Sequence, residues 1–215
     1  MQKVLLWIPQ LLGGARNTII ITIISVGIGI VLSLFLALGK MSKHKLISKP
    51  CSAYIFFFRG TPLLMQIYFI YYGLPQINPA LTIKSAFNAA LLAFTLNTAA
   101  YLAEDIRAGV QSIDAGQFEA ARTLGMSYWQ MMRLVIIPQT IRRVIPPVGN
   151  EFIMVLKDVS LVSIIGLSDL TKVTRQISSS QATAMVYIPA MIIYLIITAV
   201  FTAIFRQVEK KNSAY

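Results

Sequence analysis

Residues 18–39 read "TIIITIISVGIGIVLSLFLALG", a run without one charged side chain. An α-helix rises 1.5 Å per residue, so about twenty apolar residues cross a hydrocarbon core about 30 Å thick. The run predicts a membrane-spanning helix, and reading outward from it predicts four more. They cover residues 54–72 (interrupted by Arg59 and "RGTP"), 86–106, 148–166 and 184–205. Composition agrees: 56% of the 215 residues are hydrophobic and 13% are charged, against about 25% charged in soluble domains. The expectation is an all-α membrane protein forming one transmembrane domain over residues 1–215, embedded in lipid.

The residue inventory excludes several functions. One cysteine, Cys51, and one histidine, His44, leave no internal disulfide, no Cys/His metal site and no Cys–His nucleophile pair. No phosphate-cradling GxxxxGK[ST] loop occurs, because "ALGKMS" lacks its upstream glycine. The chain is therefore expected not to be an ATPase, and to hold no metal or cofactor of its own. The net charge of +11 is better explained by lysines and arginines at a membrane face than by nucleic acid, which so apolar a chain has little surface to bind.

Those basic residues orient the spans. Lys40, Lys43, Lys45, Lys49, Arg107, Arg122, Arg133, Arg142, Arg143, Arg206, Lys210 and Lys211 fall on one side of a five-span arrangement. Lys3, Arg16, Lys84, Lys172 and Arg175 fall on the other, while Arg59 and Lys157 lie within spans. Positive charge concentrates on the cytoplasmic side, which predicts an outside N-terminus and a cytoplasmic C-terminus. Val4, Leu5, Trp7, Ile8, Leu11 and Leu12, broken by Pro9, read as an interfacial segment before the first span rather than as a cleavable signal.

The largest predicted cytoplasmic loop, residues 107–147, contains "EAARTLGMSYWQMMRLVIIPQ" at 119–139. Asp114 or Gln117 can start a short helix, with Glu119 in a first turn where the helix dipole favours negative charge. Gly125 suits the left-handed residue that ends it. Ser127 can cap a second helix that Pro138 is expected to stop. Ala120 and Ala121 leave a thin face able to enter a groove on another protein, beside the charge of Glu119.

This segment resembles the "EAA" loop of permease subunits of bacterial ATP-binding-cassette (ABC) importers: E-A-A, three residues, G, nine residues, then I-x-L-P. Glu119, Ala120, Ala121, Gly125 and Pro138 match in place, with Val135 and Ile137 as conservative replacements. "FFFRGTPLLMQIYFIYYGLP", "YLAEDIRAGVQSIDAGQFEAA" and "NEFIMVLKDVSLVSIIG" look like the polar-amino-acid branch of that family, with Val159 where Thr is expected. The resemblance implies the type I importer permease fold and a location in the prokaryotic cell membrane. It also implies a separate cytoplasmic ATPase dimer that binds ATP and Mg and receives the Glu119–Gly125 segment. A second permease subunit, identical or paralogous, and an extracytoplasmic solute-binding protein complete the implied assembly.

Charges within spans are costly and usually paired or functional. Glu151 and Asp158 are seven apart, on one helical face, and Asn97, Tyr101 and Glu104 follow an i, i+4, i+7 pattern. Counting from a span beginning at Val148 puts Asp158 near mid-membrane. Arg59 and Lys157 can neutralise some of these acids within an internal network. Alternatively, the acids face a shared cavity and attract a cationic amino acid, with Ser160 and Ser163 offering hydroxyls to its carboxylate. A secondary carrier or channel for cationic solutes is equally compatible with spans and buried charges alone. An intramembrane enzyme is not, since only Asp158 stands at mid-span.

Overall fold

The structure, a computed structural model, describes residues 2–213, with side chains from Leu6 to Asn212. The described residues form helices and turns with no strand. Helix α1 (Gln2–Lys40) includes the charge-free run and continues back through the segment expected to lie apart at the interface. Pro9 sits inside the helix without breaking it; the side chains of Lys3, Val4 and Leu5 lie outside the described residues. At 1.5 Å per residue α1 is about 58 Å long, nearly twice a hydrocarbon core.

The second expected span is instead two helices, α2 (Lys45–Gly60) and α3 (Leu63–Ile77), bent by 105°. Thr61 and Pro62 cause the break. A residue before proline is pushed to extended backbone, and Thr61 lies at φ −117°, ψ 144°; Pro62 contributes no N–H. Buried carbonyls freed by a break need donors, and two side chains provide them. Gln66 Nε2 donates to Phe58 O (2.9 Å), Thr61 O (3.1 Å) and Thr61 Oγ1 (2.8 Å). Asn97 Nδ2 donates to Phe58 O (3.1 Å) and Gln66 Oε1 (3.0 Å).

Asn97 belongs to α4 (Ala86–Gln111), the helix at the centre of the bundle. Its buried face is rich in small residues, among them Ala90, Ala93, Ala99, Ala100 and Ala103, and this lets α1 approach closely. A Cβ on Gly29 of α1 would stand 3.0 Å from Thr98 Cγ2. Small residues at helix contacts are the usual means of close packing in lipid.

After α5 (Ala115–Thr123) the largest departure from expectation appears. Pro138 does not end a helix. Tyr128–Met131, a π turn at Met132–Ile136 and Ile137–Asp158 follow one another without a gap and are here together α6 (residues 128–158). The widened turn accommodates the proline: Ile137 N donates to Met132 O, five residues back, and local π geometry is a known way to absorb a proline in a helix. The fourth expected span, 148–166, is therefore the second half of α6 followed by a 3₁₀ turn at Val159–Ile165, closed by Gly166 at φ 84°. Asp158 stands at the end of its helix rather than mid-span.

Helix α7 (Leu170–Ser180) packs on the first half of α1. Asn17 Nδ2 donates to Ser168 O at 2.8 Å, and Trp7 Nε1 to Gln181 Oε1 at 3.0 Å. A Cβ on Gly14 would stand 2.8 Å from Asp169 O, so only glycine admits this crossing. Asp169, fully buried, caps α7 by accepting from Thr171 N (2.8 Å) and Lys172 N (3.0 Å). Burial pushes its carboxyl above the ordinary range, opposed by those N–H donors.

Helix α8 (Tyr187–Ser213) completes the bundle. Among the described residues three helical stretches are long and apolar enough to cross a membrane, Leu6–Lys40, Ala86–Gln111 and Tyr187–Asn212, and the bent pair α2–α3 makes a fourth if it is taken as one span. The fourth expected span, 148–166, does not reach that apolarity, because α6 carries Arg142, Arg143, Glu151, Lys157 and Asp158.

Gln66→Leu keeps the volume at the break but withdraws its donor. The expected result is a loss of about 1–3 kcal/mol from the carbonyls left unsatisfied, read as a lower thermal unfolding midpoint of the purified protein. An unchanged midpoint would mean that the bend holds without Gln66.

Candidate functional site

The bend between α2 and α3 opens a cavity of about 380 Å³ against α4 and α6. Arg59, Gly60, Thr61 and Pro62 form one wall, Asn97 and Tyr101 a second, and Glu151, Met154, Val155 and Asp158 the third. The last four follow i, i+3, i+4, i+7 spacing on α6, which brings both acids to one face. Glu151 is buried at 8% exposure, while Asp158 is open to the cavity. Among the described residues neither acid has a salt-bridge partner, although Arg59 and Lys157 stand nearby. Arg59 lies instead over the Tyr101 ring, 5.3 Å from its centre, a cation–π arrangement.

Of the residues singled out in the sequence, Asn97, Tyr101, Glu151 and Asp158 meet here. Asn97 is committed through its amide N–H groups to the bend. Glu104, Ser160 and Ser163 do not line the cavity. Glu104 turns to α1, bonded by Lys40 at 2.8 Å and by Arg107, and so serves as an ion-paired strut. Among the described residues Ser163 Oγ is buried with no hydrogen-bond partner.

A further acid on α4, Asp105, does not line the cavity but lies close to two residues that do. Half-buried, it interacts electrostatically with Arg59 and Glu151. Residues 97, 101 and 105 recur every four positions, so the choice of an i, i+7 partner over an i, i+8 partner selected the neighbouring face. Thr61 and Gln66 carry no sequence signal of a site, because polar side chains near a proline read as an interruption of a span.

At the other end of α6, the 119–139 cassette folds by the local rules its residues suggest. Asp114 Oδ1 accepts from Gly116 N at 2.6 Å and starts α5. Met126 N donates to Ala121 O (3.1 Å) and Gly125 N to Arg122 O (2.9 Å), with Gly125 at φ 73°; this is the paired closure expected of a left-handed helix end. Ser127 and Gln130 cap α6 reciprocally. Glu119 and Ala120 point outward. Ala121 does not: it is buried against Ile113, Met131 and Ile136. The exposed face is completed by Leu124 and Trp129, 76% and 79% exposed, which no partner within the chain covers.

A helical bundle with a docking-type loop at one end and charged groups at a broken helix fits several kinds of transporter; similarity decides among them. The family described as "Binding-protein-dependent transport system inner membrane component" matches residues 29–213. The chain belongs to that family. This permease is 38% identical over 208 residues to a probable amino-acid ABC transporter permease of Bacillus subtilis, YckA, covering 96% of this chain and 90% of that one. It is 39% identical over 209 residues to the nopaline transport system permease protein NocM of Agrobacterium fabrum, covering 94% and 87%. The crystal structure of an amino acid ABC transporter with histidines superposes with a TM-score of 0.91 at 42% identity, covering 98% and 97%.

The protein is thus the multi-pass inner-membrane subunit of a bacterial ABC amino-acid importer. Systems of this family work with a solute-binding protein and a separate ATPase, where ATP is handled. The secondary-carrier, channel and enzyme readings fall away.

Proposed function

We propose that this permease passes a cationic amino acid, such as arginine, lysine or histidine, through the cavity at the α2–α3 bend. The carrying observation is that Glu151 and Asp158 share one face of α6 in that cavity without a salt bridge. An uncompensated charge in the membrane interior costs several kcal/mol, which a cationic side chain relieves. The α-carboxylate is then directed to the Arg59 guanidinium on the opposite wall, a role for which Ser160 and Ser163 are less well placed; the Thr61 hydroxyl is already donated to Phe57 O. Asn97 and Tyr101 hold that wall, the first through the bend and the second beneath Arg59. Glu104 acts outside the binding step.

The permease crosses the membrane five times, with α6 as the fifth crossing alongside the three apolar helices and the bent pair. Its N-terminus is outside and its C-terminus cytoplasmic. The chain is one transmembrane domain, and the segment within residues 107–147 that leaves the bundle, centred on α5, docks on the cytoplasmic ATPase dimer. Glu119, Ala120 and Leu124 make the contact, while Ala121 and Gly125 fix its shape. A second permease subunit, a copy or a paralogue, completes the assembly, together with the extracytoplasmic solute-binding protein.

Asp158→Asn preserves shape and removes charge. It is expected to weaken uptake of a basic amino acid by about 2–4 kcal/mol and to affect glutamine uptake much less. Equal loss for both substrates with the ATPase still attached would make Asp158 structural.

Glu119→Lys reverses a charge on the docking face, and Gly125→Asp puts a Cβ where positive φ favours glycine. Both variants should insert in the membrane but no longer co-purify with the ATPase. Undiminished co-purification and transport in both would remove the docking role.

In a Cys51→Ser background, Ser85→Cys should react with an impermeant thiol reagent in intact cells, and Ser112→Cys only after permeabilisation. The reverse labelling would invert the proposed topology.

A further inference from the structure

A second and larger concavity lies on the flank of the bundle, at the end that carries α5. It encloses about 820 Å³ and is walled by α1, α4, α6 and α8, with Leu38, Ile106, Ile141 and Val208 representative of its surface. Along α1 it runs from Ile30 to Leu38, reaching Met41 just past the helix end, and along α6 from Tyr128 to Val148, about 12 and 30 Å at 1.5 Å per residue.

The few polar side chains in the wall are turned away from the groove. Ser33 Oγ donates to Ile30 O at 2.7 Å and Thr140 Oγ1 to Ile136 O at 2.9 Å. A hydrophilic substrate would find no free partner among these two groups, whereas a hydrocarbon chain needs none. The mouth differs from the wall. Arg122 of α5 lines it, and Met41, also lining it, leads directly into exposed Lys43. Lys40 is not available there, since it is bonded to Glu104.

We propose that this groove holds an acyl chain of an anionic phospholipid from the cytoplasmic leaflet, with the lipid phosphate at Arg122. Charge complementarity selects this occupant over a second copy of the permease. A chain of net charge +11 with eight acids would bring a basic surface to a basic rim, while an anionic headgroup meets attraction there. Arg122 also lies three residues from Glu119 on the docking segment, so the bound lipid fixes one side of the helix that faces the ATPase. The leaflet assignment rests on the topology proposed above; the groove and its headgroup preference do not.

The test uses the intact permease–ATPase complex in nanodiscs of equal phosphatidylglycerol and phosphatidylcholine, followed by native mass spectrometry. Wild type is expected to retain phosphatidylglycerol selectively. Arg122→Gln should retain lipid without headgroup preference, and Arg122→Lys should keep the preference. Leu38→Trp, at an exposed groove position, should lose both lipids while the subunits stay assembled. Absence of retained lipid, or an unchanged preference in Arg122→Gln, would overturn the proposal. So would permease-to-permease crosslinking of Leu38→Cys in a Cys51→Ser background without bound lipid, which would make the groove a subunit interface. Labelling of Ser112→Cys from outside would reassign the leaflet alone and leave the retention result standing.

Discussion

Within a bilayer no water is at hand to satisfy an open backbone, so a helix can break only where protein groups replace the lost hydrogen bonds. That requirement shapes this permease. Its α2–α3 bend frees the carbonyls of Phe58 and Thr61, and Gln66 and Asn97 satisfy them at 2.9–3.1 Å. The other interruption, from Asp158 to Gly166, keeps its backbone in 3₁₀ turns. One feature therefore has two results. The bend that needs two buried amides is also the wall of the cavity where Glu151 and Asp158 meet Arg59.

The same physics links that cavity to the far end of the protein. Residues 128–158 form one helical rod, about 45 Å long at 1.5 Å per residue. Ser127 and Gln130 cap it beside α5, and Asp158 ends it in the cavity. The π turn at Met132–Ile136 keeps the rod intact across the proline. Lys40 ties α1 to α4 at the same end through Glu104, which Arg107 also pairs within α4.

Much of this could be read from residue patterns. The charge-free runs mark α1 and α8, and the positions of Gly125 and Ser127 mark the local form of the 119–139 segment, because left-handed backbone and helix caps are decided by single residues. The shared face of Glu151 and Asp158 followed from helical spacing alone. What escaped was set by tertiary context. Pro138 carries the same local signal whether a helix stops or a widened turn absorbs it. Glu104 and Asp105 are adjacent, and only the placement of Lys40 on α1 decides which one turns away. Ala121 was assigned outward because small residues suit a docking face; in the fold that smallness lets α5 lie against Met131 and Ile136.

The central claim is that the cavity at the bend recognises positive charge by itself. Equilibrium binding of labelled arginine to the purified permease–ATPase complex, with no solute-binding protein present, tests it most directly. Saturable binding displaced by lysine and much less by glutamine is the predicted result. Absence of saturable binding, or equal displacement by glutamine, would contradict it.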